Sequence, residues 1–307
     1  MNKWYLLIGI IIIIIIIIIV YNQITNPING PYHINNENKN NMVMYHNKIQ
    51  DFEKKMSHKY PLGNDFFTIN HGKNYYKFFE RMGDLNMQIC TDKNDNVIAT
   101  GCHILRNINN NKKVWTKVWY ICDLKVDEKY RGNRISLKML INTFVPSIIK
   151  SDKCYGITMN DGNKENKIVK LAKKINYGPI KFKSGGQIYI YSLNYNQMII
   201  AQPIIERYMG PLYYISLLGI KDLVLESNKK PMKLLHVNYN GIANFKKNRN
   251  AYTFRPLRGY THMFCCHENS PLFKQLTKNN IITDISATII HYNMDNCDWK
   301  FLQTSEI

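Results

Sequence analysis

The residues best placed to do chemistry are Asp123, Arg131 and Arg134, within Asp123-Leu124-Lys125-Val126 and, four residues on, Arg131-Gly132-Asn133-Arg134-Ile135-Ser136. A carboxylate can accept or relay a proton. Two arginines beside a string of free amides suit a phosphate. Residues 114–126 alternate in the manner of a half-buried strand, with Val114, Val118, Tyr120, Leu124 and Val126 among the apolar positions. Ile135, Leu137, Leu140, Ile141, Phe144 and Val145 then recur at helical spacing. A strand that turns abruptly into a helix aims the helix's unpaired first amides, and its positive dipole end, at one point.

The chain has 307 residues and a formal charge of +19, enough for one large or two small domains and a sizeable core. The charge favours anionic partners: phosphate groups, nucleic acid or an anionic membrane face. Lys, Asn and Ile are all abundant, as an AT-rich genome would give, so charge alone decides little. Seven cysteines form no Cys-x-x-Cys pair, and despite the many asparagines there is no Asn-x-Ser/Thr acceptor. Both features point to a reducing compartment for the folded part.

Residues 4–21 are an uncharged apolar run bounded by Trp4 and Tyr21, long enough at about 1.5 Å per residue to cross a thin hydrocarbon core. The expectation is an uncleaved single-pass anchor over residues 1–21; a cleaved signal would have a shorter apolar region and a small-x-small site. Lys3 would weakly place the N-terminus in the cytosol, whereas the cysteines place the folded part on that side. Residues 22–60 are Asn-rich and read as a linker, with a short helix over residues 42–55. Folding should begin near Pro61.

Strands are expected over residues 66–70, 86–91, 97–105, 114–126, 154–159 and 187–193, with helices over 75–82, 135–145 and 165–174. Residues 198–209 and 212–220 look helical. Strands at 232–239, 261–266 and 285–292, with a helix after Ser270-Pro271, complete the chain. The fold class is therefore α/β with an α+β mixed sheet: a domain over 61–195 and a smaller α/β lobe over 196–307.

The spacing Asp-Leu-x-Val-x4-Arg-Gly-x-x-Ile-Ser, in that strand and helix order, resembles the acyl-CoA loop of the GNAT superfamily of N-acetyltransferases. Their pattern there is Arg/Gln-x-x-Gly-x-Gly/Ala; Arg134 and Ser136 stand here at the two small positions. Arg-x-x-Arg-x-small is closer to the same loop in N-myristoyltransferases, which fuse two GNAT lobes, so the second lobe could be a degenerate repeat. The resemblance covers roughly residues 62–195. It implies that the backbone of Leu124, Lys125 and Val126 pairs with pantetheine. The amides of Arg131, Gly132, Asn133, Arg134, Ile135 and Ser136 would face the pyrophosphate. It offers Asp123 as a catalytic base or as a residue that only orders the strand. An N-myristoyltransferase-like mechanism would use the carboxylate on Ile307. The family's usual acidic Tyr aligns with Ala172, leaving Tyr155 and Tyr177 nearby.

The expected activity is a membrane-anchored, acyl-CoA-dependent N-acyltransferase moving an acetyl group from acetyl-CoA to an amine acceptor. A long-chain acyl-CoA, or a non-catalytic acyl-CoA- or partner-binding protein, is the alternative. No metal is expected: His262, Cys265, Cys266 and His267 alternate across a strand and cannot converge. Lys246, Lys247, Arg249, Arg255 and Arg258, interleaved with Phe245, Tyr252 and Phe254, read as a solvated basic loop rather than a nucleic-acid site.

Overall fold

The computed structural model describes residues 32–37, 42–56, 59–62, 65–109, 115–160, 166–174, 181–239 and 252–307. The apolar run at 4–21, Tyr177 and the basic residues Lys246, Lys247 and Arg249 lie outside them. Among the described residues no helix is long and apolar enough to cross a membrane.

The chain opens with β1 (His33–Glu37), α1 (Met42–Met56), β2 (Tyr60–Leu62), β3 (Asp65–Asn70) and α2 (Tyr76–Glu80). Three long strands follow: β4 (Asp84–Thr91), β5 (Val97–Asn109) and β6 (Trp115–Val126). Next come α3 (Ile135–Ser147), β7 (Cys154–Met159), α4 (Lys167–Lys174) and β8 (Lys183–Leu193). The second half adds α5 (Tyr195–Met209), β9 (Leu212–Ile215), β10 (Asp222–Leu225), β11 (Leu234–Tyr239) and β12 (Tyr252–Thr253). It ends with β13 (Thr261–His267), α6 (Pro271–Lys278) and β14 (Ser286–Tyr292).

Among the described residues, one sheet runs through both halves in the order β1-β4-β5-β6-β7-β14-β8-β13-β11-β9-β12. The β6–β7 and β11–β13 pairs are parallel. α3 makes the crossover between β6 and β7 that a parallel pair requires. β14 is inserted between β7 and β8 and pairs antiparallel with both. A smaller sheet, β10-β3-β2, lies apart from the large one.

Three expectations need correction. The stretch expected to be a linker with a short helix does carry that helix, α1, but it also contains β1, which pairs with β4 at the sheet edge, and α1 buries Ile49, Phe52 and Met56 in the core rather than standing free. Those three apolar residues recur at helical spacing inside an Asn-rich stretch, whose composition hid that the helix belongs to the core. Residues 65–70 do form a strand, but it joins β10 and β2; the edge beside β4 belongs to β1. Finally, residues 212–215 form a strand within the stretch read as helical. Gly210 and Pro211 end α5, and Leu-Tyr-Tyr-Ile is buried at every position, as an inner strand would be. Pro203, by contrast, sits inside a continuous α5, whose start is fixed by an Asn194–Gln197 capping box.

The last residues pack inside the molecule. Gln303, Thr304, Ser305 and Glu306 are buried, and the Glu306 carboxylate meets the Arg106 guanidinium of β5 at 2.6 Å. Arg106 also donates to the Tyr155 hydroxyl, and Arg81 donates to the Ser305 carbonyl. Tyr155 stacks on Tyr120 with ring centres 4.8 Å apart, so the tail is clamped to the centre of the sheet. Breaking one side of a buried ion pair leaves an uncompensated charge. Arg106→Leu should therefore cost about 3–5 kcal/mol in urea unfolding, and Arg106→Leu with Glu306→Leu should recover most of that loss.

Candidate active site

The site begins as an irregularity in β6. Thr100 of β5 opposes Lys125, but the next registered pair is Cys102 with Cys122, so Asp123 and Leu124 share one partner, Gly101. This is a β-bulge, and Asp123 takes a left-handed backbone conformation in it, φ +54°. Gly101 makes room: a Cβ there would lie 3.3 Å from the Leu124 side chain. A bulge bends its strand. On the other side, β6 pairs with β7 only from Trp119–Cys154 to Ile121–Gly156, although both strands continue. Beyond Ile121 the two diverge.

The gap opens into a cavity of about 520 Å³. One wall is Tyr120 to Lys125 of β6 and the other Cys154 to Met159 of β7; Glu53, Ala172, Lys221, His236 and Ile307 complete it. Asp123 is tied on both oxygens. Tyr75 donates its hydroxyl to Oδ2, and Lys125 Nζ lies 2.7 Å from Oδ1. The same ammonium holds Glu53 of α1 at 2.7 and 2.8 Å, and His71 Nδ1 is 3.8 Å from that carboxylate. Burial raises the Asp123 pKa, with Lys125 opposing. For Glu53 burial also works upward, but the nearby His71 ring and the Lys125 charge outweigh it and lower the pKa. Burial disfavours the Lys125 ammonium, yet the two carboxylates together raise its pKa.

The loop after β6 is rigidly built. Asp127 caps a short 3₁₀ turn (Glu128–Tyr130) and pairs with Lys55 of α1; Asn133 Nδ2 donates to the Tyr130 carbonyl at 3.1 Å. Gly132 has φ +89°, and among the described residues a Cβ there would meet nothing within 4 Å, so backbone freedom rather than space calls for glycine. Arg134 is also left-handed, φ +55°, at the position where the GNAT pattern has glycine. Its carbonyl accepts the Lys138 amide, so it stands at the head of α3 and leaves the amides of Ile135, Ser136 and Leu137 without partners in the helix. Arg131 pairs with Glu128 at 2.8 Å. The side chains of Leu124, Val126 and Ile135 pack together under this loop.

Thus Leu124 and Lys125 line the cavity and Ala172 faces it from α4, whereas Val126 and residues 131–136, at the head of the following helix, are not part of its lining. Tyr155 lines the cavity too, with its hydroxyl held by Arg106 and its pKa raised by burial. His262, Cys265, Cys266 and His267 do not converge; His262 Nε2 accepts the Leu257 amide and His267 Nε2 bonds Gly185 O at 2.7 Å. Among the described residues no group of three or more His, Cys, Asp or Glu could hold a metal. Sequence reasoning missed Glu53, Tyr75, Lys221 and His236. Glu53 stands one residue after Phe52 in the α1 apolar pattern, the single signal that could have placed it near the core.

A mixed α/β chain with a large, mostly antiparallel sheet whose parallel pair opens beside a strand–loop–helix is consistent with a GNAT-like fold. Its structural neighbours are GNAT-family acetyltransferases. A putative acetyltransferase from Pyrococcus furiosus is 14% identical, with 48% of this chain and 93% of that one covered at a TM-score of 0.31. The ribosomal-protein-S18-alanine N-acetyltransferase of Escherichia coli gives 9%, 52%, 81% and 0.33, in the same order. A GNAT family N-acetyltransferase of Escherichia coli in complex with CoA gives 12%, 41%, 62% and 0.30. At such scores the likeness adds no weight to the geometry. No family model matches the chain. Uncharacterized protein L340 of Acanthamoeba polyphaga mimivirus is 23% identical over 245 residues, 76% of this chain and 68% of that protein.

One cavity group carries a cost that can be measured. Lys221 is buried, and desolvation, followed by the Arg81 charge, lowers its pKa from 10.5 to about 8; Asp123 and Cys122 oppose this and Lys125 adds to it. Below pH 8 the folded state bears the full penalty of a buried ammonium. Between about 8 and 10.5 only the unfolded chain keeps the proton, so stability rises with pH. Lys221→Met should gain up to about 3 kcal/mol at pH 7, and the gain should fade toward pH 10 in urea titrations.

Proposed function

We propose that the protein is an acyl-CoA-dependent N-acyltransferase, with acetyl-CoA as donor and an amine as acceptor. The observation that carries this reading is the bulged, diverging β6–β7 pair that opens a cavity, on a strand that leads through a short loop into the head of α3. The pantetheine arm would lie along the free edge of Leu124, Lys125 and Val126. The pyrophosphate would meet the amides of residues 132–136, since the Arg131 amide already donates to the Glu128 carbonyl, with Arg131 and Arg134 supplying charge. Asp123 serves as a positioning residue: its two oxygens, bonded to Tyr75 and Lys125, hold the bulge in place. A longer acyl chain is the second reading, favoured by the apolar wall of Leu62, Phe67, Ile190, Leu223 and Met263.

CoA or acetyl-CoA at one hundred times its Kd should stabilise the full-length protein by about 2.7 kcal/mol in thermal unfolding. Arg131→Glu with Arg134→Glu should remove the shift; no shift in the native protein with any acyl-CoA would refute the reading. Myristoyl-CoA stabilising more than acetyl-CoA at equal excess would select the second reading. Free thiol released from acetyl-CoA only in the presence of amines separates an enzyme from a non-catalytic binder.

The apolar run at residues 4–21 is proposed as a single-pass anchor, with the folded part on the reducing, cytosolic side. Seven free thiols, several of them buried, support that side. The full-length protein should stay with membranes through alkaline carbonate washing, and a variant lacking residues 1–21 should be released.

A further inference from the structure

Lys221 and His236 line the same cavity as Asp123 and Lys125 but take no part in their hydrogen bonds. Lys221 is 8% exposed. Among the described residues its ammonium meets no carboxylate and no hydrogen-bond acceptor; it sits over the face of Phe78, 4.6 Å from the ring centre. The carboxylate side chains of the Lys125 and Arg106 networks already have a cation of their own. Asp123 and Glu53 share Lys125, and Glu306 is held by Arg106. Among the described residues of this cavity, Lys221 is the cation left over.

His236 is unsatisfied in the complementary sense. Its Nδ1 lies 3.0 Å from the Thr304 hydroxyl, which donates its one hydrogen to the Met263 carbonyl at 2.9 Å. That hydroxyl must therefore accept from Nδ1–H. Burial, with the charges of Lys221 and Arg81, keeps the ring neutral, so Nε2 presents a bare lone pair. Among the described residues Nε2 is buried without a hydrogen-bond partner. One cavity thus holds an unpaired cationic donor and an unpaired neutral acceptor, both in apolar surroundings that strengthen polar contacts.

From this pair we infer that the cavity binds an acceptor carrying a carboxylate beside its amine, an α-amino acid or a close analogue. Lys221 takes the carboxylate, and His236 Nε2 takes an amine hydrogen. Ile69 and Leu223, which face each other across β3 and β10, and Phe79 offer an apolar wall for a side chain. Calling the ligand an acceptor rests on the acyltransferase reading; its binding does not.

The test is calorimetric titration of the full-length protein in mild detergent with leucine, leucinamide and isoamylamine as probes. Leucine should bind at least tenfold tighter than either analogue, since both lack the carboxylate. Lys221→Met should bring that preference below about threefold, and Lys221→Arg should keep part of it. Equal binding of the three probes, no binding of any, or an unchanged preference in Lys221→Met would overturn the inference. The CoA-induced thermal shift, measured on the native protein and on Lys221→Met, separates the two readings. A leucine preference without a CoA shift defeats the acyltransferase; a CoA shift without the preference defeats only the carboxylate site.

Discussion

The arrangement depends on one constraint: β6 must carry an extra residue, and that residue must stay in a left-handed conformation. A non-glycine residue there costs of order 1–3 kcal/mol and persists only where its surroundings over-determine it. Asp123 is suited to it, because Asp tolerates that region better than most residues and its carboxylate can be anchored. Tyr75 and Lys125 anchor it, and Lys125 is anchored in turn by Glu53 from α1. The bulge turns β6 away from β7, and everything else in the site follows from that divergence. With an unbroken parallel ladder there would be no cavity.

The same network explains why α1 belongs to the folded unit. Its apolar face packs Ile49, Phe52 and Met56 against the core, and its polar edge brings Glu53 to Lys125 and Lys55 to Asp127. One helix therefore braces the bulge and the start of the following loop together. A buried lysine between two carboxylates is held by geometry as much as by charge, because moving either partner would leave an ion uncompensated. The terminal residues do similar work on the other side of Tyr120, where Arg106, Glu306 and Tyr155 lock the tail to the sheet.

How much of this was legible from sequence follows the range of each interaction. The strands at 84–91, 97–109, 115–126 and 154–159, and the helix at 135–147, declared themselves through local periodicity, and Gly132 through its type. The bulge did not, because register is a property of two strands and nothing in Asp123-Leu124 alone marks an extra residue. Lys125 and Glu53 are far apart in sequence, and Glu53 lay in a segment whose asparagines outweighed its three well-spaced apolar residues. The strand at 212–215 was hidden by hydrophobicity at every position, which fits a buried helix and an inner strand equally. Lys221 lies just past that misread stretch, where no local pattern marks it as buried.

The two left-handed residues, Asp123 and Arg134, bracket the proposed cofactor path, and they are stabilised differently. Asp123 is fixed by its own side chain. The Arg134 backbone is set by what surrounds it, the Asp127 cap before it and the α3 amides after it. Replacing the glycine of the pattern by arginine adds strain and adds a charge at the point where the helix dipole is already positive. Unopposed, that charge is unfavourable on both counts, for strain and for repulsion from the helix end. It becomes favourable when an anion occupies the helix head, since the arginine and the amides then act on the same group. A loop built this way is less stable empty than filled. That is the behaviour expected of a binding element, and it sets the loop end, proposed to take phosphate, apart from the cavity end, where Lys221 and His236 are proposed to take a different partner.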